Sequence, residues 1–359
     1  MTDCTIIIPT YNRPTYLRRI LDYYDSFGEG FKIIVADSSS DENKRINKDI
    51  ISSGSNLDIQ YLDSYPTEIN LYRKIADVVN YAQEKYCVFC ADDDFVTPNG
   101  IKQAVDFLES NPDFAIAHGR YISFWLERRK IGQYFRWQPT YSALSIRFEH
   151  PEQRLTYHLA NYCTPTLYAV HRSTLLKTLY KEVLTSTVNP VLFGELLPSM
   201  LTLIYGKVKC LDVLYAARDQ SSIRVGYLLT LKDAIEAGTY DETYAKFRDC
   251  LSMHLSKQSQ LDIEESGQAV DEAMSAYMNK YYYPSKSKIR YISTKMGHML
   301  DYLNLPDWLD RGIRRPYTRL TESRSTRKAS IDMSPSSKHY DDFNKIRQHV
   351  LASSGIIAK

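Results

Sequence analysis

Short apolar runs alternate with amphipathic stretches over the first 120 or so residues of the chain. Cys4-Thr5-Ile6-Ile7-Ile8-Pro9 and Phe31-Lys32-Ile33-Ile34-Val35-Ala36 are nearly continuous and rich in β-branched side chains, the pattern of strands covered on both faces. Between them Tyr16, Leu17, Ile20, Leu21 and Tyr24 recur at helical spacing, so strand, helix and strand make a right-handed parallel crossover. Ile59-Gln60-Tyr61-Leu62 reads as a third strand. Ile69 to Glu84 reads as a helix with Leu71, Ile75, Val78, Val79 and Ala82 toward the core and Ile69, Arg73, Asp77 and Asn80 opposite. The apolar run Tyr86-Cys87-Val88-Phe89-Cys90-Ala91 is a further buried strand, followed by a helix from Pro98 to about Ser110 and a strand Phe114 to Gly119 that Tyr121 to Trp125 extends. This alternation predicts an α/β fold, a doubly wound sheet flanked by helices, with its ligand mouth along Pro9, Asp37 and Asp92.

Further on, Asn161 to Val170 reads as a loop running into a strand, with a helix from Ser173. Asn189-Pro190 is a helix start, and Val191 to Ile204 fits one buried helix ending before Gly206. Lys207 to Tyr215 alternates as a strand, and helical sequence runs from Gln220 to about Lys280. The domain reading is therefore 1–220 for the α/β unit, 221–322 for a helical region with a basic segment, and 323–359 for a linker and terminal helix. Tyr134, Phe135, Trp137 and Tyr141 either line a sugar pocket or fill the core.

The chemistry concentrates at one point. Asp92, Asp93 and Asp94 close the Tyr86–Ala91 run and precede Phe95-Val96-Thr97-Pro98. Clustered carboxylates at the carboxyl end of a buried strand suit a hard divalent cation held against phosphate oxygens. The alternative is an acidic turn that starts the next helix.

Overall charge changes little in this picture. A net +2 gives no general case for nucleic-acid binding. It is uneven, however: residues 284–328 hold eleven Lys and Arg against four Asp and Glu, interleaved with Trp308, Leu309, Ile313, Tyr317 and Leu320. Such a segment suits peripheral contact with an anionic membrane face, or else a solvated or partner-docking extension. Six scattered cysteines, and no run of about 20 apolar residues, point to a reduced cytoplasmic setting. Cys87 and Cys90, three apart on a strand, face opposite sides and read as buried core; His118 and His171 read as structural. A homo-oligomer is compatible with the chain.

Thr5 to Arg13, Val35-Ala36-Asp37-Ser38-Ser39, and Asp92-Asp93-Asp94-Phe95-Val96-Thr97-Pro98, in that order, resemble the nucleotide-sugar domain of family 2-type glycosyltransferases of the GT-A fold, over roughly residues 3 to 220. The match is nearest to bacterial polysaccharide glycosyltransferases, although Ala91 stands where the commoner family pattern has an acid. The resemblance implies a mixed sheet, a nucleotide-sugar donor, an oligosaccharide or lipid-linked acceptor, and a metal cofactor, Mg²⁺ or Mn²⁺. It implies that Pro9, Thr10 and Tyr11 wall the base, with Asp37 accepting from a base N–H in a way that suits uracil, and with Ser38 beside it. Arg13 and Lys74 would serve the phosphates or base edge, Asp92 and Asp93 the donor, and Asp94 with Asp92 the cation. Glu195 occupies the place of the general base of an inverting transfer; its ordinary reading is an early-helix acid facing the helix dipole. A nucleotidyltransferase would need the glycines that Thr10-Tyr11-Asn12-Arg13-Pro14 lacks, and a non-catalytic partner subunit is the third reading.

Overall fold

The structure is a computed structural model that describes residues 3–28, 30–53, 56–129, 132–140, 144–162, 166–221, 231–281 and 331–354. Its N-terminal half follows the apolar pattern. β1 (Cys4–Thr10), α1 (Pro14–Asp25), β2 (Lys32–Asp37), α2 (Asp41–Ser52), β3 (Asp58–Leu62), α3 (Leu71–Val78) and β4 (Tyr86–Phe89) form a βα series whose four strands pair in parallel. After them come β5 (Phe95–Val96), α4 (Pro98–Ser110), the long hairpin β6 (Phe114–Arg129) and β7 (Gly132–Thr140), and α5 (Pro151–Ala160). Then follow β8 (Val170–Arg172), α6 (Ser173–Thr185), α7 (Pro190–Phe193), α8 (Leu196–Tyr205) and β9 (Lys207–Asp219). The helices α9 (Leu231–Glu236), α10 (Tyr240–Gln258), α11 (Ile263–Tyr281) and α12 (Tyr340–Ser353) complete the described elements.

The sheet runs β3-β2-β1-β4-β8-β6-β9-β5, with β7 added to β6. β8 is antiparallel to both β4 and β6, and β5 is antiparallel to β9. The sheet is therefore mixed, as the resemblance implies. Successive residues of the central strands feed two cores. Ile7, Ile34, Cys87 and Phe89 join the core on one face, while Ile6, Ile8, Ile33, Val35, Tyr86 and Val88 join the other. Burial on both faces explains why these strands read as unbroken apolar runs.

Four elements depart from the sequence reading. The helix expected over Ile69–Glu84 begins at Leu71, because the Asn70 side chain accepts from the Tyr72 and Arg73 N–H groups, and it tightens into a 3₁₀ turn at Val79–Tyr81. Ile75, Val78, Val79 and Ala82 are buried as expected, but Leu71, at the first position of the helix, is exposed, and Lys74 is buried with the core face. The single helix expected from Val191 to Ile204 is broken by a turn at Gly194-Glu195 between α7 and α8. α2 and α5 have no counterpart in the sequence reading; Ser40 precedes α2, and Asp41 and Glu42 occupy its first turn. The aromatics Phe135 and Trp137 lie on β7 and pack against Phe343 of α12, with Phe135 also stacked on Phe124, so they fill core.

The helical regions pack onto this framework. Phe193 of α7 stacks on Phe247 of α10 with ring centres 4.2 Å apart, and α11 lies against α5. α12 packs on α1, buries Phe343, Ile346 and Val350, and is tied to β9 by the Leu214 N–H donating to His339 Nδ1. His118 and His171 are buried against backbone carbonyls, and burial pushes both down to about 4, so each is a neutral structural group. Cys87 and Cys90 are buried free thiols. Among the described residues no helix is long and apolar enough to cross a membrane. The basic segment 284–328 lies outside the described residues.

Candidate active site

The site begins where β1 and β2 end side by side. Asn12 adopts a left-handed backbone (φ 54°), which Asn tolerates better than most residues, and this turns the chain sharply after Thr10. Its N–H donates to Ser39 Oγ at 2.7 Å, and its Oδ1 accepts from the Ser40 N–H at 2.8 Å and from Asn43. Lys74, reaching across from α3, donates to the Thr10 carbonyl at 3.0 Å and to Ser38 Oγ at 2.8 Å. The two strand-end turns are thereby laced into one rim.

Asp37 lies at the base of that rim, fully buried. Its Oδ1 accepts from the Ser39 N–H at 2.7 Å, and its Oδ2 accepts from Asn47 of α2 and from the Tyr61 hydroxyl, each at 2.7 Å. Both oxygens thus already hold protein donors, so in this structure Asp37 braces the turn; the open acceptor expected of it is not what the geometry presents. Lys74 is likewise a strut: it is 2% exposed, and burial pulls it down to about 8 despite Asp37 and Asp92 nearby. Two of the three N–H donors of this amine are engaged by Thr10 and Ser38. Pro9 and Tyr11 are half-buried on the rim.

The acidic triad meets the same rim. Thr10 Oγ1 donates to Asp92 Oδ2 at 2.6 Å, and Arg13 Nη1 lies 2.7 Å from Asp93 Oδ2 and 3.5 Å from Asp92 Oδ1. Asp94 turns the other way: it accepts from the Tyr168 hydroxyl at 2.6 Å, from Arg218 Nε at 3.2 Å and from the Asp219 N–H at 2.8 Å. Arg19, buried on α1, pairs with Asp219 at 3.2 Å, donates to the Asp93 carbonyl at 2.6 Å, and lies over the Tyr16 and Phe95 rings. Four carboxylates therefore sit against three guanidinium groups, which offset the repulsion that three consecutive aspartates would otherwise carry. Burial still dominates. It pushes Asp92 up to about 7, with the Asp93 charge adding to it and Thr10 and Arg13 opposing, and it pushes Asp94 up to about 6 despite Arg218.

A cavity of about 480 Å³ opens beside these groups, lined by Asp93, Asp94, Tyr168, Arg218, Asp219 and the β7 residues Gln138 to Thr140, among others. Asp92 is not among its lining residues. Asp92, which the resemblance pairs with Asp94 around one cation, does not line this cavity: it faces the β1 turn, while Asp93 and Asp94 face the cavity. Nor do the triad oxygens form a ready-made cage, since among the described residues the one group of three or more potential ligand atoms lying within 4.8 Å of one another is elsewhere.

Glu195 occupies a different environment, in the turn between α7 and α8. Its Oε1 accepts from the Tyr162 hydroxyl at 2.6 Å, and Tyr72 of α3 lies beside it. Gly194 makes this approach possible, since a Cβ there would stand 2.3 Å from the Tyr72 ring. Among the described residues no hydrogen bond or ion pair joins Glu195 to the triad. Two elements connect the regions: α3, which carries both Tyr72 and Lys74, and the 3₁₀ turn Thr166–Tyr168, which packs on α8 and sends Tyr168 to Asp94.

Arg19 and Tyr168 have no place in the sequence reading, which takes Arg218 and Asp219 as residues after the returning strand that could close over donor or acceptor. For Arg19 no local signal existed, since neither it nor Arg18 falls on the stripe of Leu17, Ile20 and Leu21, and its buried guanidinium is matched only by a carboxylate remote in sequence.

A mixed sheet with paired strand-end turns, and acids and arginines gathered at their tips, defines a transferase of the GT-A class. Residues 5–178, a little under half of the chain, match the family model described as glycosyl transferase family 2. The chain is a glycosyltransferase, which sets aside nucleotidyl transfer and a purely non-catalytic role. No curated protein matches the chain. Among solved structures it is similar to S. aureus TarS 1-349 in complex with UDP-GlcNAc, at 13% identity and TM-score 0.48, over 99% of this chain and 93% of that one. It is also similar to the mannosyltransferase PcManGT from Pyrobaculum calidifontis in complex with GDP-Man and Mn²⁺, at 13% identity and TM-score 0.40, over 91% of this chain and 85% of that one.

Proposed function

We propose that the chain transfers a sugar, with inversion, from a UDP-linked donor to a hydroxyl of a surface polysaccharide or glycolipid. One observation carries the reading: the β1 rim and the acidic tip are bonded to each other, through Thr10 with Asp92 and Arg13 with Asp93, beside a polar cavity that Arg218 also lines. The base lies along Pro9, Thr10 and Tyr11, on a turn that Asp37, Ser38 and Lys74 hold in place. Asp92 serves the ribose side. Arg13 and Arg218 have carboxylate partners in the free protein and exchange them for diphosphate oxygens when donor binds, which uncovers Asp93 and Asp94.

The donor set fits a hard divalent cation, because the uncovered ligands are all carboxylate oxygens lining a polar cavity that a diphosphate would share. Asp94 with Asp93 would hold Mn²⁺ or Mg²⁺, and the cation would offset negative charge on the departing nucleoside diphosphate. Glu195 takes the proton from the acceptor hydroxyl as that oxygen bonds to the anomeric carbon; the bond from carbon to the diphosphate oxygen breaks, and its electron pair leaves with UDP. The Tyr162 hydroxyl occupies Oε1 and holds the carboxylate in orientation, leaving Oε2 to receive the proton. The positive surplus along 284–328 suits an acceptor carried on an anionic lipid surface.

The test is release of nucleotide from a panel of UDP-, GDP- and CDP-sugars, each with Mn²⁺ and an oligosaccharide or lipid-linked acceptor. Turnover confined to UDP-sugars is expected; turnover of another nucleotide class in preference would contradict the base assignment.

A further inference from the structure

Away from the active site, Glu182 of α6 and Cys250 and His254 of α10 bring a carboxylate, a thiol and an imidazole together, their ligand atoms all within 4.8 Å of one another. Cys250 and His254 are one helical turn apart and share a face of α10. His254 Nε2 lies 3.6 Å from Glu182 Oε1, and Cys250 Sγ lies 4.0 Å from Glu182 Oε2. The surroundings are closed: Cys250 is 8% exposed and His254 5%.

Nε2 of His254 is buried without a hydrogen-bond partner and points into this trio. Its other nitrogen, Nδ1, is 2.8 Å from the hydroxyl of Tyr205, at the end of α8. A hydrogen bond at Nδ1 that fixes the ring and leaves Nε2 free is the usual outer-shell arrangement of a metal-binding histidine. A neutral imidazole, a thiol and a carboxylate make a mixed N, S and O set; that chemistry selects zinc rather than the oxygen-seeking cations proposed for the triad. Tetrahedral zinc with ordinary bond lengths holds its ligand atoms about 3.3–3.6 Å apart. The His254–Glu182 separation already matches that spacing, the Cys250–Glu182 separation, to the other carboxylate oxygen, is a few tenths of an ångström longer, and all three ligand atoms lie within 4.8 Å of one another, so rotation of the partly exposed Glu182 side chain with a small shift of the α10 pair would complete the geometry.

We propose that Glu182, Cys250 and His254 form a zinc site that clasps α10 of the helical region to α6 of the α/β unit, with Tyr205 as the outer-shell residue. Burial and Glu182 push the Cys250 thiol up to about 12, so zinc binding releases its proton. Three protein ligands leave a fourth position for water. Neither the donor nor the acceptor of the sugar transfer is involved, so the site stands or falls independently of the proposed reaction.

The test uses the full chain, stripped with chelator and titrated with Co²⁺ as a spectroscopic stand-in for zinc. We expect tetrahedral ligand-field bands and a thiolate-to-cobalt charge-transfer band that saturate at one equivalent and are displaced by Zn²⁺, together with a zinc-dependent rise in Tm. Cys250→Ser and His254→Gln should each abolish the charge-transfer band, and Tyr205→Phe should weaken zinc binding about 10- to 100-fold. X-ray absorption at the zinc edge, on the unmutated chain with one equivalent bound, should show one sulfur among the nearest ligands and does not depend on any variant folding. A zinc shell without sulfur, or a charge-transfer band that survives Cys250→Ser, would overturn the site.

Discussion

The acidic tip and the Glu195 turn both hold carboxylates within the fold, but they satisfy them differently. At the tip each acid facing the cavity has a guanidinium partner, Arg13 for Asp93, Arg218 for Asp94 and Arg19 for Asp219. Among the described residues, Glu195 has a tyrosine hydroxyl and no cation as partner. The difference fits a division of labour. A region that must take up and release a diphosphate benefits from positive groups whose partners can be exchanged, since the charge lost with one anion is replaced by another. A carboxylate that must accept a proton would be weakened as a base by a guanidinium at hydrogen-bond distance, because that partner favours the ionised form.

The largest expected effect tests the second half of this contrast. Glu195→Gln keeps the shape and the bond from Tyr162 but cannot accept the acceptor's proton, so turnover should fall by about 10²–10⁴ with donor affinity nearly unchanged. Steady-state kinetics alongside direct donor titration would separate the two, and unchanged turnover would remove Glu195 from the mechanism. On the tip side, Asp94→Asn should lower turnover by about 10²–10³ and abolish any dependence on added Mn²⁺. A variant that still responded to the cation would move the metal away from Asp94.

The smallest effect concerns pH. Asp92 sits at about 7 in the folded chain, against 3.8 for an ordinary aspartate, so the folded state keeps a proton that the unfolded chain gives up. Its contribution to stability is complete below the unfolded value and is lost as pH rises through the folded one. Asn at this position cannot titrate. The stability of Asp92→Asn relative to the parent chain should therefore improve as pH rises from about 4 to about 7, as read by urea unfolding at both ends of that range. A flat difference would mean that Arg13 and Thr10, rather than burial, govern the group.

Strands with both faces buried announce themselves as apolar runs, so β1, β2 and β4, and the acids at their ends, could be placed from the chain alone. What lay beyond that reading depends on partners remote in sequence. Arg18 and Arg19 look alike until Asp219, 200 residues away, shows which one is buried. The engagement of Asp37 could not be anticipated without α2, whose polar surface hid both the helix and Asn47. The antiparallel half of the sheet was obscured because β8 has three residues and β5 two, too few to show a period. The break between α7 and α8 falls at Gly194, whose backbone lies against the Tyr72 ring of a remote helix, a contact no local pattern encodes.

The central claim is that the strand-end rim and the acidic tip form one pocket for a nucleoside diphosphate and a cation. Calorimetric titration of UDP into the full chain, with and without Mn²⁺, measures this most directly. The account predicts that Mn²⁺ tightens UDP binding in the parent chain and not in Asp94→Asn. Equal affinity for UDP with and without the cation would contradict it.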